Sequence, residues 1–121
     1  MPLVLIQYKT GQKLEDIART LALQMPSIVA PVLDASEQEG DAGRLTPDDI
    51  EVWCTESGAL DVNTKDIEII IWAHEFGSRK TTLEQRKEEI IKRVREVLSL
   101  WDRTVSGFVW VLLQPTAFGT L

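Results

Sequence analysis

Apolar positions along the chain fall into two alternating periods. Residues 1–6 are apolar almost without a break and lead into Gln7-Tyr8-Lys9-Thr10-Gly11, which predicts a strand closed by a glycine turn. From Leu14, apolar residues recur at Ile17, Ala18, Leu21, Ala22 and Met25, the three-and-four spacing of an amphipathic helix. Pro26 is expected to end or kink that helix, because proline has no N–H and its ring clashes with the preceding turn. Residues 27–33 then read as a second short helical piece. The polar, glycine-containing stretch 34–48 reads as a mobile loop.

Residues 49–55 alternate, with Ile50, Val52 and Cys54 on one side and Glu51, Trp53 and Thr55 on the other. Period two predicts a strand. Turn chemistry at Ser57-Gly58 and at 61–64 separates it from a second, isoleucine-rich strand over 66–76. Thr81-Thr82-Leu83-Glu84 has the spacing of a capping box. The helix after it sets Leu83, Ile90, Ile91, Val94, Val97, Leu98 and Trp101 on one face. Arg86, Lys87, Lys92, Arg93 and Arg95 lie on the other, interleaved with Glu88, Glu89 and Glu96. This charged side reads as a solvated face braced by pairs such as Glu88–Lys92 and Glu89–Arg93. A last strand is expected over 108–113.

The order is strand–helix–strand twice, a repeat of pattern without a repeat of residues. Each unit predicts a right-handed parallel βαβ. The expected fold is therefore α/β (α+β): one domain over 1–121, with units at 1–55 and 65–114, a four-stranded sheet and both helices on one face. Residues 69–73 and 108–113 are apolar at consecutive positions, so both sides of those strands require burial. Two helices cover only one side, and another copy of the chain is expected on the other.

Composition narrows the chemistry. Thirteen Lys and Arg against nineteen Asp and Glu leave the 121-residue chain at −6, which disfavours phosphate backbones as partners. No apolar run is long enough to span a bilayer, and the start lacks the basic region of a signal peptide, so a cytoplasmic protein with no membrane partner is expected. The single cysteine, Cys54, excludes an internal disulfide and multi-cysteine metal sites, and reads as a buried filler. Trp53, Trp72, Trp101 and Trp110 read as core or interface. No phosphate loop, zinc spacing or hydrolase elbow is present, and neither a metal nor a cofactor is expected.

Pro2 is the residue with distinctive chemistry. If Met1 is removed, it becomes a terminal secondary amine, and in an apolar pocket such an amine loses basicity and can serve as a general base near neutral pH. The plainer reading is a proline that begins a strand. Pro2 at a strand start, the doubled βαβ pattern and the double-sided strands together resemble the tautomerase superfamily. Within it, the likeness runs to the 5-carboxymethyl-2-hydroxymuconate isomerases and to the macrophage migration inhibitory factor-like fold. The stretch 66–79, Asp-Ile-Glu-Ile-Ile-Ile-Trp-Ala-His-Glu-Phe-Gly-Ser-Arg, resembles that family's strand and glycine turn. Leu83-Glu84-Gln85-Arg86 is similar to its Leu-Glu-x-Arg, and Pro26 and Pro31 lie where its first helix ends.

The resemblance implies a homotrimer and a small enol or keto acid substrate. Pro2 would move a proton, Arg79 would hold a substrate carboxylate, Lys80 would assist, and His74 would line the pocket. Departures accompany it. Gln12-Lys13 follows the first glycine where the bacterial enzymes often have arginine. Asp48-Asp49 stands where the muconate isomerases carry paired arginines, and would repel a dianion. Arg44 is the nearest arginine. The expected function is a cofactor-free tautomerase or isomerase. The alternatives are a non-catalytic trimer of the same fold and a ferredoxin-like binding or regulatory module.

Overall fold

In a computed structural model that describes residues 2–35, 43–115, 117 and 119–121, strands and helices follow the alternating periods. The chain runs through β1 (Leu3–Tyr8), α1 (Gln12–Leu33), a 3-10 turn (Pro47–Asp49) and β2 (Glu51–Glu56). It continues through β3 (Ile67–His74), the short α2 (Gly77–Thr81), α3 (Leu83–Leu98) and β4 (Gly107–Gln114). The sheet order is β2-β1-β3-β4. β1 is parallel to β2 and antiparallel to β3, and β3 is parallel to β4. Each half is a βαβ unit, and the antiparallel β1–β3 seam joins them.

Strand register sorts the side chains into two faces. Val4 and Ile6 of β1 stand beside Ile71 and Ile69 of β3, and all four are buried beneath α1 and α3. The other face carries Leu3, Leu5, Trp53, Ile70, Trp72, Phe108, Trp110 and Leu112, and no helix among the described residues covers it. Trp53 is 57% exposed and Trp110 49%, so neither belongs to a core within one chain. Cys54 is exposed, and the expectation of a buried filler is corrected: β2 is an edge strand with a neighbouring strand on one side only.

The first helix corrects the expectation of two pieces. It continues through Pro26 and Pro31, and its buried residues keep their spacing from Leu14 to Leu33. The carbonyls that lose a partner belong to Ala22 and Ser27, half-buried and exposed respectively, so water can satisfy them. Burial of Ile28, Val29 and Leu33 against the sheet contributes about 1.5–3 kcal/mol per side chain, enough to offset roughly 3 kcal/mol for each interior proline. Residues 36–42 of the expected mobile loop lie outside the described residues, as does Met1. Among the described residues, no helix is long and apolar enough to cross a membrane.

Candidate functional site

The strand directions gather several chain segments at one edge of the sheet. Leu3 pairs with Glu51 at the start of β2 and with Trp72 near the end of β3. His74 pairs with Gln114 at the end of β4, and Glu75 N donates to Gln114 O at 3.0 Å. Pro2 therefore stands where β1 and β2 begin and β3 and β4 end. Its side chain is fully buried, and its carbonyl accepts from Glu51 N at 3.2 Å.

α1 brings its C-terminus to this edge, and with it carbonyls that have no partner inside the helix. Two arginines from the α2–α3 segment supply donors. Arg79, 2% exposed, donates from Nε to Leu33 O at 2.7 Å, from Nη1 to His74 O at 2.9 Å and from Nη2 to Gly43 O at 3.4 Å. Its guanidinium carbon also lies 4.8 Å from the centre of the Phe76 ring, which meets the His74 ring edge-on at 4.7 Å. Arg86 donates from Nη1 to Val32 O at 2.8 Å and Asp34 O at 3.1 Å. Three successive carbonyls at a helix C-terminus, where the dipole is negative, thus face two cations. Gly43 is required for this approach, because a Cβ there would run into the Ala35 side chain.

These contacts change the reading of several residues. Arg86 is not part of a solvated face: it is half-buried and fastens α3 to α1. The spacing Leu83-Glu84-Gln85-Arg86 does not identify its acceptors, which lie over 50 residues earlier. The expected capping box at Thr81–Glu84 does not form. Thr82 Oγ1 instead donates to Ser78 O at 2.6 Å and accepts from Arg86 Nε at 2.7 Å, while Glu84 pairs with Lys87. A reciprocal cap occurs at the 3-10 turn before β2, where Asp49 Oδ2 accepts from Thr46 N at 2.8 Å and Thr46 Oγ1 at 3.2 Å. Asp49 is therefore held by its own turn. Asp48 beside it is exposed.

Among the expected site residues, the structure brings Pro2, His74 and Arg79 to the same edge. Arg79 is a clamp in this geometry, since its donors are directed at backbone carbonyls. Lys80 is exposed on α2, 3.5 Å from Glu75. Arg44 lies 3.4 Å from Asp34, whose other oxygen accepts from Leu45 N at 2.8 Å. Among the described residues, no three His, Cys, Asp or Glu side chains converge as a metal ion would require. Desolvation raises the Cys54 thiol above its ordinary pKa.

No family model matches the chain, and no curated protein matches it. Solved structures do. Pt0534 inactivated by 2-oxo-3-pentynoate superimposes with a TM-score of 0.62 at 14% identity, over 98% of this chain and 91% of that one. A symmetric trimer of fused wild-type 4-OT gives 0.55 at 12% identity, over 93% and 85%. FG41 malonate semialdehyde decarboxylase inhibited by 3-bromopropiolate gives 0.54 at 14%, over 98% and 89%. The fold these chains share with the present one is the tautomerase fold.

Proposed function

We propose that this protein is a cofactor-free tautomerase or isomerase in which Pro2, as an amino-terminal secondary amine, transfers a proton between carbon and oxygen sites of an enol or dienol acid. The observation that carries this reading is the placement of Pro2. It is fully buried, at the one sheet edge where four strand ends, the α1 C-terminus and the Arg79 clamp meet. Desolvation there disfavours the charged ammonium and brings the amine toward a neutral, proton-accepting form. Arg79 acts by position, fixing the His74 carbonyl and the Phe76 ring beside the strand end. Lys80 is the cation free enough to meet a substrate carboxylate, with Glu75 as its competitor. A monocarboxylate or neutral enol is therefore favoured over a dicarboxylate, and exposed Asp48 adds to that preference.

A homotrimer completes the reading. The uncovered face with Trp53, Trp72 and Trp110 is too apolar for a soluble single chain, and a symmetric 4-OT trimer shares the fold. The commitment of Arg79 to backbone carbonyls favours a second reading, a trimer whose catalytic chemistry has lapsed. Kinetics separate the two. The native protein should be lighter by one methionine, and should ketonise the enol of phenylpyruvate. Pro2→Ala, which also permits removal of Met1, should lose at least about ten-fold in kcat/KM, within the range general base catalysis supplies. An unchanged rate removes Pro2 from the mechanism, and no rate in the native protein supports the lapsed trimer.

A further inference from the structure

We propose that the cleft between α3 and the start of β4 is a binding site for a small amphiphilic carboxylate, an alkyl chain with one anionic head. The cleft has a volume of about 320 Å³, within the range of small-molecule sites. Its floor is Leu21 of α1 with Ile67 and Ile69 of β3, and its wall is the face of α3 that carries Ile91, Val94 and Leu98. Ile91 to Leu98 spans about 10 Å of helix, a length suited to a medium alkyl chain rather than a compact ring.

The mouth is polar and its charge is uneven. Lys87, toward the start of α3, is held by Glu84 and by Glu88, the latter at 3.0 Å, so that end is neutralised. Arg95, two turns further on, also lines the cleft, and its guanidinium has no hydrogen-bond or ion-pair partner among the described residues. Ser106 lies on the strand side of the opening. Its oxygen accepts from Asp66 N at 3.2 Å, and its hydroxyl is engaged by the Asp66 carboxylate, so the strand side of the opening is polar but already paired. An anionic head would meet the Arg95 guanidinium while its chain enters the apolar floor, the division of labour expected of a ligand pocket.

Gly107 keeps the cleft open at this point. A Cβ on Gly107 would strike the Ile67 carbonyl, so the chain closes on β3 there without a side chain to obstruct the opening. Gly107 pairs with Ile67, and Ile67 with Tyr8, the last residue of β1. The cleft thus lies at the end of the sheet opposite Pro2, and the proposal does not depend on the proline chemistry.

The test is an amide-resonance titration of the ¹⁵N-labelled protein in its native assembly with octanoate, with 1-octanol as the uncharged probe. Octanoate should bind saturably, shift the amides of Ile91, Leu98, Ser106 and Gly107, and bind about ten-fold tighter than octanol. Arg95→Glu, an exposed change that leaves the core intact, should remove that advantage without altering octanol binding. Ile91→Trp should fill the cleft and weaken both. Equal affinity for the two probes, an octanoate affinity indifferent to Arg95→Glu, shifts confined to the open sheet face, or no saturable shift would each overturn the proposal.

Discussion

The two βαβ units share one plan and bury their helices very differently. In the first, nine of the 22 residues of α1 are buried; in the second, two of the 16 residues of α3 are, Ile90 and Val94. α1 lies against β1, β2 and α3, and its apolar stripe shares one core with isoleucine and valine from the central strands. α3 covers the edge strand β4 only in part, and the uncovered remainder is the cleft lined by Ile91, Val94 and Leu98. The stability of this fold therefore resides mainly in its first unit, and the second is free to carry charge and openings. The arginine clamp reverses the direction of support: Arg79 and Arg86 of the second unit fix the C-terminus of the first.

The clamp gives the largest expected effect. Arg79→Met keeps some apolar bulk but leaves the carbonyls of Leu33, His74 and Gly43 without those donors. A loss of about 3–4 kcal/mol in urea unfolding is expected, since each orphaned buried group costs about 1–3 kcal/mol. A loss under about 1 kcal/mol would mean that the two units do not depend on this tie.

Next is the asymmetry of the helices. Ile17→Ala in α1 should lower stability by about 3 kcal/mol, and Val97→Ala on the half-buried side of α3 by about 1 kcal/mol. Equal losses would contradict the account of where the core lies. The smallest effect concerns pH. The Ser106 backbone N–H, 3.0 Å from Asp66 Oδ2, holds the Asp66 carboxyl below its ordinary pKa, with Arg103 4.0 Å away contributing further. Its contribution is thus complete above the usual carboxylate range and is lost as pH falls through the depressed folded value. Asp66→Asn should lower stability at neutral pH by about 1 kcal/mol and flatten that acid limb. A variant with the wild-type pH dependence would remove Asp66 from it.

Much of this architecture was legible in the sequence because it is carried by periodicity. The isoleucines of β3 alternate between a helix-covered and an open face, and the doubled strand–helix–strand order leaves few topologies. What was not legible depends on contacts across long stretches of chain. Pro26 read as a break because local rules carry no information about the sheet beneath Ile28, Val29 and Leu33. Arg86 looked like one more charge on a polar face, since its acceptors at Val32 and Asp34 lie in another element. The Thr81–Glu84 spacing fitted a cap that the preceding turn, α2, displaces, whereas the cap at Thr46–Asp49 was hidden by reading its acids as a charge pair. Pro2 was legible as chemistry, and the pairing of Leu3 with Glu51 and Trp72 supplies its surroundings.

The claim that Pro2 is a free, reactive amine can be tested with 2-oxo-3-pentynoate, an alkynone acid that adds to amines and thiols by conjugate addition, forming an N–C or S–C bond while the nucleophile's proton passes to the adjacent carbon. Peptide mapping by mass spectrometry after one equivalent should place the adduct on Pro2 nitrogen. Exposed Cys54 is the competing nucleophile, but its raised pKa keeps it mostly as the slower thiol at neutral pH. An adduct on Cys54 alone, or an unmodified amino terminus that still carries Met1, would contradict the account.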